Sequence, residues 1–176
     1  IRDLIRSATI ARTLDPRTAE ASVDLARNLK VESVSRLRPT PAWSVAPEST
    51  IADAVSLMRS KNVGCVLVCV DRKILGIFTE RDLMRRVLAS GLDLKTPIVE
   101  CMTPGPVTVD PKDPIRVAIK HMLEGGYRHL PVVHEGRPLG ILSVKRLVHY
   151  IVEHFPSTVY NLPPDLPGPI ATGAAS

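Results

Sequence analysis

This sequence contains itself twice. The stretch Gly76-Ile77-Phe78-Thr79-Glu80-Arg81-Asp82-Leu83 returns 64 positions later, at Gly140-Ile141-Leu142-Ser143-Val144-Lys145-Arg146-Leu147. Sliding the chain by that offset aligns Pro39 through Val87 with Thr103 through Ile151 without a gap. Val45 meets Val109, Pro47 meets Pro111, Ile51 meets Ile115, Met58 meets Met122 and Val68 meets Val132. A gapless self-match with like-for-like exchanges is the mark of two tandem copies of one supersecondary unit. A unit of about 60 residues buries too little surface to be stable alone. The two copies are therefore expected to pack on each other as one body.

Each copy reads as strand, helix, strand, strand, helix. In the first, Trp43–Val45 is a short strand, and Ser49 or Thr50 caps a helix whose apolar stripe is Ile51, Ala54, Val55 and Met58. Cys65–Val70 and Ile74–Phe78 form a hairpin across Asp71-Arg72-Lys73, and a last helix runs from about Glu80 to Leu88. The second copy repeats this order. It has a strand at Val107–Val109 and a helical stripe of Ile115, Ala118, Ile119 and Met122. Strands at His129–Val133 and Leu139–Leu142 follow, then a helix from Lys145 to about His154.

The expected organisation is a helical extension over 1–38, repeats over 39–95 and 96–155, and a proline-rich flexible tail over 156–176. In the extension, Asp15 caps a helix that starts at Pro16 and carries Ala21, Val23, Leu25, Ala26 and Leu29. This helix is expected to lie across the repeat body or at a dimer contact. Residues 1–10 could form another.

Aromatic residues make up only 3% of the chain, so the core is aliphatic and stacking platforms for single-stranded nucleic acid are lacking. The net charge of +5 favours anionic ligands but is weak support for nucleic acid. No apolar run approaches the roughly 18 residues of a membrane helix. The three cysteines, Cys65, Cys69 and Cys101, do not suggest a disulfide framework, and a reducing cytoplasm is the expected setting. The histidines form no recognisable metal set with them. No nucleophile–base constellation stands out either, so neither a metal site nor an enzyme is expected.

The Val-x-Pro opening, the Arg128-His129-Leu130-Pro131-Val132-Val133 strand and the Gly-Ile-hydrophobic-Thr/Ser turn into Arg81-Asp82-Leu83 together resemble the cystathionine-β-synthase (CBS) domain family in its tandem-pair form. Each motif alone is weak; their order, twice over, is specific. The resemblance covers about residues 40–154. It implies an α+β fold of two β-α-β-β-α repeats about a pseudo-twofold axis, with two clefts between them and dimerisation into a disc. It also implies a regulatory rather than catalytic role, with an adenosine-containing ligand.

In ligand-binding members a Ser/Thr and an Asp three residues later hold the ribose hydroxyls. A carboxylate can accept two hydrogen bonds from a vicinal diol. Thr79 and Asp82 match that pattern. The resemblance assigns Gly105, Pro106 and Val107 to the base-lining wall, Arg128, His129 and Pro131 to the adjoining strand, and Lys145 to a phosphate. Two cations suit AMP, ADP or ATP. In the second cleft Ser143 remains but Arg146 replaces the aspartate, and an arginine cannot accept from a hydroxyl. Trp43, Gly64 and Cys65 replace Val107, Arg128 and His129 on its opposite wall. One nucleotide per chain, two per dimer, is expected.

Simpler roles stand beside these. Asp82 at a helix start also acts as a cap, Arg81, Arg85 and Arg86 read as a solvated helix face or dimer contacts, and His129 reads equally as a satisfied buried polar residue. The leading functional reading is a nucleotide-sensing module that acts on an unknown effector protein. The alternatives are a homodimerisation module with empty clefts and, less favoured, a single-stranded nucleic-acid binder.

Overall fold

The glycine that opens each repeated turn lies under a strand borrowed from elsewhere in the chain. In the computed structural model, which describes residues 16–156, a Cβ on Gly76 would come within 2.9 Å of the Thr103 carbonyl oxygen. A Cβ on Gly140 would come within 2.8 Å of the Thr40 carbonyl oxygen. Only a residue without a side chain lets those backbones approach. Thr103 leads into the second copy and Thr40 into the first, so each copy's sheet is completed by the segment that precedes the other's first strand.

The elements follow from this exchange. Helix α1 (Pro16–Val31) and a 3₁₀ turn (Val34–Leu37) lead to β1 (Ser44–Val45), α2 (Ile51–Lys61), β2 (Cys65–Val70) and β3 (Lys73–Thr79). A short α3 (Glu80–Asp82) continues as a π-helix (Leu83–Leu88), and a second 3₁₀ turn (Ile98–Glu100) precedes β4 (Thr103–Pro104). The second copy supplies α4 (Ile115–Gly125), β5 (His129–His134), β6 (Arg137–Ser143) and α5 (Val144–His154). The first sheet runs β1-β2-β3-β4, with β1 parallel to β2 and the other pairs antiparallel. In the second, β5 and β6 pair antiparallel, Val109 bridges Val132 in parallel, and Thr40 bridges Ile141 antiparallel. Both hairpins carry a register shift at matching places, Val68/Cys69 and Val132/Val133.

The 64-residue offset also governs the loops. Ile98 N donates to Ser49 O at 2.8 Å, and Val34 N donates to Asp113 O at 2.8 Å. Ile51 N donates to Thr96 O, and Ile115 N to Glu32 O, at 3.0 and 2.9 Å. The internal symmetry thus begins near Val34, ahead of the first strand.

Burial shows why the copies cannot separate. Leu25 and Leu29 of α1, with Val34 and Leu37, fill the second copy's core beside Ile115, Ile119, Leu130, Leu142 and Leu147. Helix α1 therefore packs on the repeat body. Ile98, Cys101 and Met102 of the linker fill the first copy's core beside Ile51, Phe78 and Val87. Cys65, Leu67, Ile77 and Ile141 form a third cluster that joins the two copies. Fully burying one such aliphatic side chain contributes about 1.5–3 kcal/mol.

Local differences from the sequence expectation have local causes. The Val107–Val109 strand shrinks to the single bridge at Val109. The helix expected from Glu80 widens into π-turns after Asp82, with Ala89 N donating to Met84 O at 3.1 Å. Thr50 is the cap of α2, in a full capping box with Asp53. The expected helix in 1–10, the Asp15 cap and the tail from 157 onward lie outside the described residues.

Candidate ligand cleft

Thr79 ends β3 in an extended conformation and caps the helix that follows. Its backbone N and its hydroxyl both donate to Asp82 Oδ2, at 3.0 and 2.7 Å, while its hydroxyl accepts from Asp82 N at 3.3 Å. Thr50 and Asp53 make the same capping box on α2, with Thr50 N and Oγ1 donating to Asp53 Oδ2 at 3.0 and 2.7 Å. Capping alone therefore says nothing of a ligand. What sets Asp82 apart is its other oxygen. Asp82 is only 8% exposed, and Oδ1 accepts from Thr103 Oγ1 at 3.2 Å and forms an ion pair with Arg86 Nε at 3.3 Å. The two oxygens belong to one carboxylate but have separate partners.

Asp82 lies on a cavity of about 790 Å³ between the two copies. That volume is in the range of small-molecule sites. Thr79, Gly105, Pro106, Val107, Arg128 and His129 also line it. Gly105 has a φ of 51° and open space where a Cβ would stand, so its backbone faces the cleft unshielded.

Two expected residues are not among those lining the cavity. Pro131 is buried in β5, paired with Ile141, and its carbonyl accepts from Val109 N at 3.0 Å. Lys145 is exposed in the first turn of α5, where it holds the position that Arg81 holds in the first copy. The cations of this cleft are instead Arg81, Arg85, Arg86 and Arg128. The helix face read as solvated thus turns toward the cavity. Arg81 Nη1 donates to Gly126 O at 3.1 Å and ties the first copy to the second. Among the described residues, the Arg85 and Arg128 guanidiniums have no hydrogen-bond or ion-pair partner, and both remain free for an anion.

The assignment of Gly64 and Cys65 to the wall of the other cleft also changes. Gly64 lines the Asp82 cavity, and a Cβ there would come within 2.9 Å of His129 Cε1. Gly64 therefore makes room for the imidazole. Cys65 sits in the central cluster, and burial pushes its thiol up to about 12, with the nearby Glu80 adding to the effect. Burial lowers the His129 pKa, Glu80 opposes this and Arg128 reinforces it. The ring stays neutral at neutral pH.

Sequence reasoning missed Glu80, Met84, Thr103 and Tyr127 on the cavity wall. Thr103 could have been found, because it precedes Gly105-Pro106-Val107, already placed on that wall. At the second copy's turn, Ser143 only accepts from Arg146 N, at 3.3 Å, and no carboxylate replaces Asp82. Trp43, the counterpart of Val107, lies under Lys61, whose Nζ is 4.2 Å from the ring centroid.

Comparisons with known proteins place the fold and the family. The Bacillus subtilis CBS domain-containing protein YhcV is 32% identical over 114 residues, spanning 65% of this chain and 81% of that protein. The CBS domain protein PAE2072 from Pyrobaculum aerophilum, solved in complex with AMP, superposes with a TM-score of 0.63 at 27% identity, covering 72% of this chain and 99% of that one. CBSX2, also solved in complex with AMP, superposes with a TM-score of 0.59 at 27% identity, covering 69% and 96%. The sequence matches the CBS domain family twice in tandem, at residues 32–89 and 98–153, and the chain belongs to that family.

Proposed function

We propose that this chain is a regulatory adenine-nucleotide sensor that binds one nucleotide in the Asp82 cavity and modulates a partner protein. The observation that carries the reading is the Asp82 carboxylate, which lines a 790 Å³ cavity bordered by free guanidiniums and whose Oδ1 is held by Thr103 and Arg86, themselves on that cavity. A ribose diol would take Oδ1 in place of Thr103 and Arg86, with Oδ2 left on Thr79. The base would lie along Gly105, Pro106 and Val107. Arg85 and Arg128 would take phosphate, since guanidinium pairs with phosphate oxygens in bidentate fashion. The two AMP complexes among related structures support this ligand class.

Regulation would follow from what the ribose displaces. Arg86 Nη1 donates to Met102 O at 2.6 Å and to Cys101 O at 3.4 Å, and Thr103 opens β4. Ligand at Oδ1 thus loosens ties between the first copy's helix and the linker. A ligand shifts such an equilibrium only as far as it prefers one arrangement. The module itself is read as non-catalytic and, with three free cysteines, as cytoplasmic. Among the described residues, no helix is long and apolar enough to cross a membrane.

A homodimer fits the exposed apolar side chains on the two outer helices. Met84 is 61% exposed, and its counterpart Val148 is 40% exposed. If that surface were the whole function, the cleft would stay empty. Calorimetric titration with AMP, ADP and ATP, on protein freed of carried-over nucleotide, tests the reading. One site per chain for at least one nucleotide, weakened about tenfold or more in Asp82→Asn, is expected. No binding to any of the three, with a dimer by sedimentation, would leave the dimerisation reading.

A further inference from the structure

The Asp82–Arg86 pair has a counterpart with very different chemistry. Shifted by 64 residues, Asp82 becomes Arg146 and Arg86 becomes Tyr150, while Cys101 and Met102 become Leu37 and Arg38. In the first copy, Arg86 spans the gap between helix and linker turn by holding Asp82 and two carbonyls. The second copy has no such bridge. A separate cavity of about 280 Å³ opens between the 3₁₀ turn at Val34–Leu37 and α5, lined by Arg36, Arg38, Arg146, His149, His154 and the single carboxylate Glu153.

Three guanidiniums against one carboxylate make this a positive concavity. Part of the charge is already engaged. Arg36 Nε is 3.2 Å from Glu32, and His149 is 3.8 Å from Glu153. Arg38 and Arg146 have no hydrogen-bond or ion-pair partner through their side chains among the described residues. Arg38 is held in place by a left-handed backbone, with φ 49°, at the end of the 3₁₀ turn. His154 stacks on Tyr150 at 4.4 Å, and its Nδ1 is bonded to the Tyr150 carbonyl, so one wall is fixed.

We propose that this cavity is an anion site for a small, free phosphate- or pyrophosphate-type ion, held between Arg38 and Arg146. Two unpaired guanidiniums on one cavity wall, one from a turn and one from a helix, suit bidentate contacts to phosphate oxygens. At about 280 Å³ against about 790 Å³, this cavity is much smaller than the Asp82 cavity, which suits a small anion better than a nucleotide. The site is separate from the Asp82 cavity, shares no lining residue with it and does not depend on its occupant. The duplication has thus produced two unlike sites. Where the first copy places a carboxylate and a bridging arginine, the second leaves two cations facing open space.

Titration of the full chain with pyrophosphate, followed by calorimetry, tests this. One site per chain is expected in an Arg85→Gln/Arg128→Gln double variant, which removes the free cations of the other cavity, and the further substitutions are made in that background. Weakening of about tenfold or more is expected in Arg38→Asn and in Arg146→Gln, each losing a charge-assisted contact. Asparagine tolerates the left-handed backbone at position 38, and circular dichroism checks that both variants fold. Three results would overturn the proposal: no pyrophosphate binding, equal binding in both variants, or loss of binding in the Arg85→Gln/Arg128→Gln protein. The last would place the anion in the Asp82 cavity.

Discussion

Arg86 holds the Asp82 carboxylate with its Nε, at 3.3 Å, and the Met102 carbonyl with its Nη1, at 2.6 Å. One side chain therefore occupies the oxygen proposed for ribose and anchors the linker. Arg86→Gln is expected to lower folding stability by about 1 kcal/mol, because a partly exposed charge-assisted contact is lost. It should also strengthen binding of unphosphorylated adenosine, since Oδ1 loses a competitor while no phosphate contact is at stake. Denaturant melts and adenosine titration check both parts. Weaker adenosine binding in the variant would mean that Arg86 supports the ligand rather than competing with it.

The two capping boxes provide a matched control. Asp82→Asn keeps an acceptor for the Thr79 donors but removes the charge, so the cap largely survives. Nucleotide affinity should fall about tenfold or more, as expected for a lost charged hydrogen bond. Asp53→Asn alters the same motif away from the cavity and should leave nucleotide affinity unchanged. Parallel titrations of the two variants separate capping from binding. Equal losses in both would reduce Asp82 to a cap.

The 64-residue offset was enough to foresee the tandem copies, their element order and the position of the Thr79–Asp82 turn, because periodicity and capping are local. The exchange of Thr40 and Thr103 between sheets was not legible. Pairing Thr40 with Ile141 depends on tertiary approach across a hundred residues, and no local pattern encodes it. Lys145 shows a different limit. Its counterpart Arg81 lines the Asp82 cavity, and Lys145 itself stands on the other copy's turn, outside that lining. Arg85 looked solvated because helical spacing gives a direction around the axis, not whether that direction meets bulk water or a cleft.

His129 gives a pH prediction with a definite sign. Its pKa in the folded protein lies below the ordinary 6.5, chiefly because burial disfavours the cation. Above 6.5 the ring is neutral in both states and stability is unaffected. As pH falls below 6.5 the unfolded chain takes up the proton first, and stability declines until the pH reaches the lower folded value. His129→Gln is neutral throughout and should lose less stability over that window. Denaturant melts of both proteins between pH 7 and 5 provide the comparison, and parallel curves would rule out His129 as the titrating group.

Gly76 and Gly140 test whether the exchanged segments shape the cleft. Each lies under a carbonyl that a Cβ would meet, Thr103 O at 2.9 Å and Thr40 O at 2.8 Å. Alanine at either position must push backbone aside, at a cost of about 1–3 kcal/mol, and both variants should melt earlier. Their effects on binding should differ. Gly76→Ala moves Thr103, whose hydroxyl donates to Asp82 Oδ1, and so disturbs the nucleotide cavity. Gly140→Ala moves Thr40, which hydrogen-bonds Ile141 on the opposite side. Weaker nucleotide binding in Gly76→Ala and near-normal binding in Gly140→Ala, both measured well below their melting temperatures, is the expected pattern. Equal binding losses would mean that general loosening of the copies, rather than the position of Thr103, controls the site.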